Sequence, residues 1–162
     1  MSLCLVGVGE WDTSLQPGAV IKTMALGSCV AVALVAPASG VVGLLHVALP
    51  DSSIAPAKAA QRPGYFADTG IPGILRAMAR RGADIYHRSL VVKLAGGAKV
   101  MDPHGTFNIG QRNIQAIRQV LGQHGLSPVA EDLGGVVSRN VEVHVDGGRV
   151  FVASAGRGRR EM

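Results

Sequence analysis

Short apolar runs separated by turn residues make up most of the chain, and they predict a fold rich in strands. The runs contain mainly valine, leucine and alanine, and β-branched residues favour strands. Glycine and proline mark the turns between them, as at 37–40 and 146–148. We expect strands at 4–8, 19–24, 29–35, 41–49, 89–94, 128–132, 141–145 and 149–153.

Two segments show the spacing of amphipathic helices instead. Apolar residues three and four positions apart predict one helix that ends at Gly82 and a second that ends near Gly122. Between the strands and the first helix, we expect residues 51–63 to form a long loop. The residues that define the helices are Ile71, Ile74, Leu75 and Met78 in the first, and Ile114, Ile117 and Leu121 in the second.

The order of these elements predicts the fold class. Strands outnumber helices and several follow one another through tight turns, so the sheets should be mostly antiparallel or mixed. We therefore expect an α+β fold, a layered sandwich of such sheets with the helices packed outside. The 162 residues suit one domain, which we place at 1–155, followed by a basic, flexible tail at 156–162.

Composition narrows the function classes. The net charge is +5, but the arginines are scattered and are not interleaved with aromatics, so we predict no nucleic-acid binding. No apolar run approaches the roughly 18 residues of a membrane span, and the first residues do not resemble a signal peptide. Two cysteines do not form a disulfide framework. These features favour a cytoplasmic protein that does not insert into membranes.

One cysteine and one histidine are the candidate catalytic residues. Cys29 follows Gly27 and Ser28, and His46 comes 17 positions later on the expected partner strand of a hairpin. An imidazole beside a thiol can produce the nucleophilic thiolate. The hydroxyl of Thr23, on the preceding strand, could hold the imidazole in one tautomer. Each residue alone has a simpler interpretation. A free cysteine is commonly a small buried hydrophobe, a histidine on an apolar strand is commonly a hydrogen-bonded core residue, and threonine is an ordinary strand residue.

The turn before Cys29 could supply an oxyanion site. Glycine at position 27 permits a close approach or a positive φ angle, and consecutive backbone N–H groups near Ser28 and Cys29 could bind a developing negative charge. The remaining histidines and Cys4 lack the spacing of metal ligands. We therefore predict neither a metal nor another cofactor.

Several ordered motifs resemble those of the chemoreceptor glutamine deamidase family, CheD. The resemblance covers roughly residues 3 to 152, and several motifs in the same order make it specific. The motifs are Thr23-x-x-Leu26-Gly27-Ser28-Cys29-Val30, Gly43-x-x-His46-x-x-Leu49-Pro50, Tyr65-Phe66-Ala67-Asp68, Lys93-x-x-Gly96-Gly97-Ala98, Ile109-Gly110-Gln111-Arg112-Asn113 and Asp132-Leu133-Gly134-Gly135-x-x-x-Arg139.

The resemblance implies a function and a set of roles. Cys29 would be the nucleophile, His46 the acid and base, and Thr23 the orienting hydroxyl. The reaction would be hydrolysis of selected glutamine side chains to glutamate on methyl-accepting chemotaxis receptors. The resemblance also implies a CheC-type phosphatase as partner and a fold similar to that of bacterial toxin deamidases with a Cys–His site.

Two other functions fit the same residue types. The chain could act by docking a phosphatase or receptor with an incidental thiol, or it could be another thiol amidohydrolase, because thioester chemistry is shared among such enzymes.

For a protein substrate the site should be shallow. We expect its rim to include the segment 51–63 and the glycine pairs at 96–97 and 134–135.

Overall fold

The computed structural model describes residues 2–100 and 107–162, which contain ten strands and three α-helices. Short 3-10 turns lie between several of them. The elements are β1 (Ser2–Leu5), β2 (Trp11–Ser14), β3 (Ala19–Leu26), β4 (Val30–Ala36), β5 (Val41–Val47), α1 (Pro56–Gln61), α2 (Ala67–Arg80), β6 (Val91–Gly96), α3 (Ile109–Gln123), β7 (Ala130–Leu133), β8 (Arg139–His144), β9 (Val150–Ser154) and β10 (Gly158–Glu161).

The strands form two five-stranded mixed sheets. The first has the order β1-β3-β8-β9-β10 and the second the order β2-β5-β4-β6-β7. All neighbours are antiparallel except β1 with β3 and β6 with β7, which are parallel. The predicted α+β class with mixed sheets and helices outside is confirmed. The likeness to toxin deamidases stays a prediction.

The second sheet lies in the middle of the molecule, between the first sheet and the helices. Every residue of β4 and β5 is buried, because one face packs on the first sheet and the other on α2 and α3. Strands covered on both faces read as continuous apolar runs, which is why the sequence located this hairpin well.

None of the helices in the described residues is long and apolar enough to cross a membrane.

Two segments differ from the expectation. Residues 51–63 are not an irregular loop, since they contain a 3-10 turn at Ser52–Ile54 and helix α1, which starts at Pro56. Proline is favoured in the first turn of a helix because its missing N–H has no intrahelical partner there. Strand β2 was not expected, because its sequence Trp-Asp-Thr-Ser lacks an apolar run.

The C-terminal residues form a strand rather than the expected flexible tail. β10 pairs with β9, and the backbone N–H of Met162 donates to the carbonyl of Val150 at 2.9 Å. Two of the three arginines that suggested a solvated tail have acidic partners. Arg159 binds Glu142 at 3.0 Å, and Arg160 binds Asp132 on the other sheet.

Candidate active site

An irregularity at the end of β3 carries the chain into the cysteine turn. The pairing of β3 with β8 shifts register between Thr23 and Leu26, and Ala25 has a positive φ of 59°. The Ala25 N–H donates to the side-chain oxygen of Asn140 at 3.0 Å. Such bulges re-aim a strand, and this one directs the chain toward Cys29, the residue before β4.

Cys29 and His46 lie on neighbouring segments and face the same side of the second sheet. In the β4–β5 pairing, Val30 is opposite Val47 and Ala31 is opposite His46. Because side chains alternate along strands, Cys29, Ala31 and His46 all face the first sheet. Cys29 and His46 are therefore diagonal neighbours, an arrangement within reach of an imidazole ring. They are not hydrogen-bonded, since His46 Nε2 has no hydrogen-bond partner among the described residues.

The His46 ring is held from its other nitrogen. His46 is only 1% exposed, and its Nδ1 lies 2.7 Å from Thr23 Oγ1. The same hydroxyl donates to the carbonyl of Val6 at 2.7 Å. A hydroxyl has one proton, so when it donates to Val6 it must accept from Nδ1–H. Nε2 is then unprotonated and can accept a proton on the side that faces away from Thr23.

Burial sets the resting charge state of both groups. It lowers the pKa of His46 from 6.5 to about 4. It also raises the pKa of the Cys29 thiol, against the opposite effect of the residue's own backbone N–H. A neutral thiol and a neutral imidazole are thus the resting forms near pH 7. Because the resting pair is neutral and not a thiolate–imidazolium ion pair, the thiolate must form by proton transfer during the reaction.

The turn before Cys29 has free amides. Within the described residues, the backbone N–H groups of Gly27 and Ser28 have no acceptor, and that of Cys29 has no acceptor other than its own thiol sulfur. Unpaired, consecutive amides are suited to bind a developing oxyanion. Neither expected reason for glycine at position 27 is observed among the described residues, however. Its φ is not positive, and a Cβ there would lie 3.8 Å from Val100, which is ordinary contact.

The segment that begins with the glycine pair at 96–97 holds the cysteine turn (residues 27–29) through backbone hydrogen bonds. The sequence did not predict this role. Gly97 N–H donates to the carbonyl of Cys29 at 2.9 Å, and Ala98 N–H donates to that of Gly27 at 2.7 Å. Gly96 has φ of 119°, and a Cβ on it would lie 2.3 Å from the Cys29 carbonyl oxygen. Only glycine allows this close approach.

The second glycine pair, at 134–135, lies next to the first pair and is hydrogen-bonded to the same segment. Gly134 N–H donates to the carbonyl of Gly96 at 2.9 Å, and Lys99 N–H donates to that of Gly135 at 2.9 Å. Arg139, only 5% exposed, binds the carbonyl of Gly134 from the interior. Gly96 and Gly97 are buried behind the cysteine turn, so they do not occupy the expected rim position. Gly135 is exposed, and its place on a rim for the substrate stays a prediction.

A buried asparagine was also missed as a site residue. Asn113 on α3 is fully buried and donates to backbone carbonyls next to Cys29 and beyond His46. Two signals for it are present in the sequence: Asn113 ends the motif that begins at Ile109, and it is a polar residue one position before Ile114, which lies on the buried face of the helix.

The chain matches known proteins over its whole length. The family model described as CheD chemotactic sensory transduction matches residues 48–154. A probable chemoreceptor glutamine deamidase CheD of Syntrophotalea carbinolica is 50% identical over 162 residues, which is 100% of both chains. The corresponding protein of Solibacter usitatus is 39% identical over 97% of this chain and 92% of its own.

A third relative is the chemoreceptor glutamine deamidase CheD of Thermotoga maritima. It is 37% identical over 154 residues, which is 95% of this chain and 93% of that protein. The match to the family model begins after His46. The segment with Thr23, Cys29 and His46 lies within the match to the Syntrophotalea carbinolica protein, which covers the whole chain.

Proposed function

Because the chain belongs to the CheD family of chemoreceptor glutamine deamidases, we propose that it deamidates receptor glutamines through a thioester on Cys29. The enzyme is a protein-glutamine glutaminase, and its substrates are glutamine side chains of chemoreceptors. The assignment of Cys29 as nucleophile, His46 as acid and base, and Thr23 as orienting residue is our proposal.

The observation that carries this proposal is the hydrogen bond between Thr23 Oγ1 and His46 Nδ1. It supports a single tautomer in which Nε2 is free to accept a proton. A histidine needed only for packing would also have its buried Nδ1 hydrogen-bonded, but it would not leave a buried Nε2 without a partner among the described residues, as His46 does. The Cys29 thiol is the nucleophile that shares this face of the hairpin with His46.

The reaction would proceed in two steps. His46 Nε2 takes the thiol proton, and the thiolate attacks the carboxamide carbon of the glutamine. The free amides near Ser28 and Cys29 bind the oxyanion. His46 then gives the proton to the nitrogen, so ammonia leaves and a thioester remains. Water, deprotonated by the same imidazole, attacks the thioester carbonyl and releases glutamate while the proton returns to the sulfur.

We also propose the setting and one partner. A free thiol nucleophile persists in a reducing compartment, and both cysteines are free, which supports a cytoplasmic enzyme. The motifs shared with CheD proteins support a CheC-type phosphatase as binding partner.

Mass spectrometry of intact receptor cytoplasmic domains tests the proposal. Wild-type enzyme should produce the mass gain of an amide-to-acid conversion at specific glutamines, and Cys29→Ala should produce none. Receptor modified equally by Cys29→Ala would overturn the assignment of the nucleophile. Cleaved receptor backbone would identify a peptidase instead, and unmodified receptor that still binds would identify a docking protein.

A further inference from the structure

We infer that Asn113 is a positioning residue, which fixes the Cys29 turn relative to the end of the His46 strand. Its side chain is fully buried. Asn113 Nδ2 donates to the carbonyl of Ser28 at 3.0 Å and to the carbonyl of Ala48 at 3.0 Å. One amide group thus ties together the two segments that carry the proposed nucleophile and base. The inference rests on the proposed function.

The orientation of the amide follows from its partners. Both partners are carbonyl oxygens, which only accept hydrogen bonds. Of the two ends of the side chain, only the –NH₂ group can donate two hydrogen bonds. Asn113 Oδ1 is left without a partner among the described residues. Aspartate has the same shape but cannot supply these two donors, which makes it a sharp probe of the role.

The first of these bonds acts on the proposed oxyanion site. The Ser28 carbonyl and the Cys29 N–H belong to the same planar peptide group. When Asn113 holds that carbonyl, it also sets the direction of the Cys29 N–H. Loss of the bond would let the peptide plane rotate, and the amide would no longer be preorganised for the transition state.

The second bond acts where the β4–β5 pairing ends. The last pair is Val30 with Val47, so Cys29 and Ala48 face each other just beyond it. Among the described residues no backbone N–H binds the Ala48 carbonyl there, and Asn113 takes that place. The distance between the thiol and the imidazole two residues earlier therefore depends on this side chain.

Two glycines bring α3 close enough for these bonds. A Cβ on Gly110 would lie 2.4 Å from the carbonyl oxygen of Gly97, and a Cβ on Gly97 would lie 2.6 Å from the side chain of Ile114. The first turn of α3 is thus packed directly on the glycine pair that binds the Cys29 carbonyl. This packing explains physically why the two motifs around Gly97 and Asn113 belong to one site.

Replacement of Asn113 by aspartate tests the inference, with Gln115→Glu as control. Gln115 is exposed on the same helix, so the control makes the same amide-to-acid change away from the site. For Asn113→Asp we expect kcat to fall by about 100-fold, the effect of a misplacement of about 1 Å, with KM changed less than about two-fold. The control should match wild type in both.

The second readout is alkylation of Cys29 by iodoacetamide, followed by peptide mass spectrometry across pH. A role in positioning predicts that the pH profile of Asn113→Asp becomes that of His46→Ala. A merely structural role predicts a lower melting temperature with the wild-type profile in the folded protein. If Asn113→Asp does not fold, Asn113→Ser, which keeps one donor, provides the same comparison.

The outcomes separate the two proposals. Wild-type kcat and a wild-type alkylation profile in a folded Asn113→Asp variant would overturn the inference, provided that Cys29→Ala is inactive. Activity of Cys29→Ala would instead overturn the proposed function itself.

Discussion

Thr23 Oγ1 lies 2.7 Å from His46 Nδ1 inside a site that water scarcely reaches. The partner of the imidazole is therefore a neutral hydroxyl and not a carboxylate. A carboxylate would stabilise the imidazolium and raise the pKa of the histidine, whereas here burial acts unopposed and lowers it. Once His46 has accepted the thiol proton, the cation is poorly stabilised. It should pass the proton quickly to the departing nitrogen.

Thr23→Val tests the importance of this hydroxyl. Valine keeps the shape of threonine but cannot accept from Nδ1–H, so the ring loses the contact that fixes its tautomer. We expect kcat to fall by about 10²-fold, the lower end of what a general base contributes. Deamidation rates give the effect, and ¹⁵N chemical shifts of the His46 ring report the tautomer.

Thr23→Ser is the matched control, because it keeps the hydroxyl and loses only a methyl group. It should stay within a few-fold of wild type and retain the wild-type ¹⁵N shifts. Equal rates for the valine and serine variants would show that the hydroxyl does not orient the base.

Gly96→Ala should damage both stability and activity. The new methyl group would meet the Cys29 carbonyl oxygen at 2.3 Å, at a φ of 119° that disfavours any side chain. We expect the free energy of unfolding to fall by about 2 kcal/mol or more. The displaced Cys29 turn should lower the deamidation rate in the protein that remains folded. Urea unfolding and receptor assays measure the two effects.

Gly156→Ala separates backbone strain from this clash. Gly156 also has a positive φ, of 82°, but none of the described atoms lies within 4 Å of the position that a Cβ would occupy. Its substitution should cost about 1–2 kcal/mol of strain and leave the rate of deamidation unchanged. A Gly96→Ala enzyme as active as Gly156→Ala would show that the Cys29 turn does not depend on Gly96.

The sequence was most informative where residues are buried on both sides. The β4–β5 hairpin has an uninterrupted apolar pattern and a Pro-Ala-Ser-Gly turn, and its pairing follows directly. Residue types and motifs predict Thr23, Cys29 and His46 as site residues, and the structure places all three where the two sheets face each other. Their catalytic roles stay predictions.

The sequence was least informative where tertiary contacts decide. Asn113 ends one of the CheD-like motifs, but its role could not be recognised, because its partners at Ser28 and Ala48 are 85 and 65 positions away in the chain. The strand at the C terminus was missed for a similar reason. Arginines near a chain end suggest solvation, but Arg160 has its acidic partner, Asp132, on the opposite sheet. Local patterns contain no information about such partners.

Stability should depend on pH through His46. Burial lowers its pKa to about 4, while the unfolded chain accepts the proton near 6.5. The neutral His46 ring therefore contributes fully to the free energy of unfolding above pH 6.5. As the pH falls toward 4, that free energy decreases by about 3 kcal/mol. Urea unfolding at pH 7 and pH 4 should show a smaller loss for His46→Gln, which does not titrate, than for wild type. His124→Gln, at an exposed position, should behave as wild type. Equal losses in all three proteins would contradict the neutral, buried state of the His46 ring on which the proposed proton transfer depends.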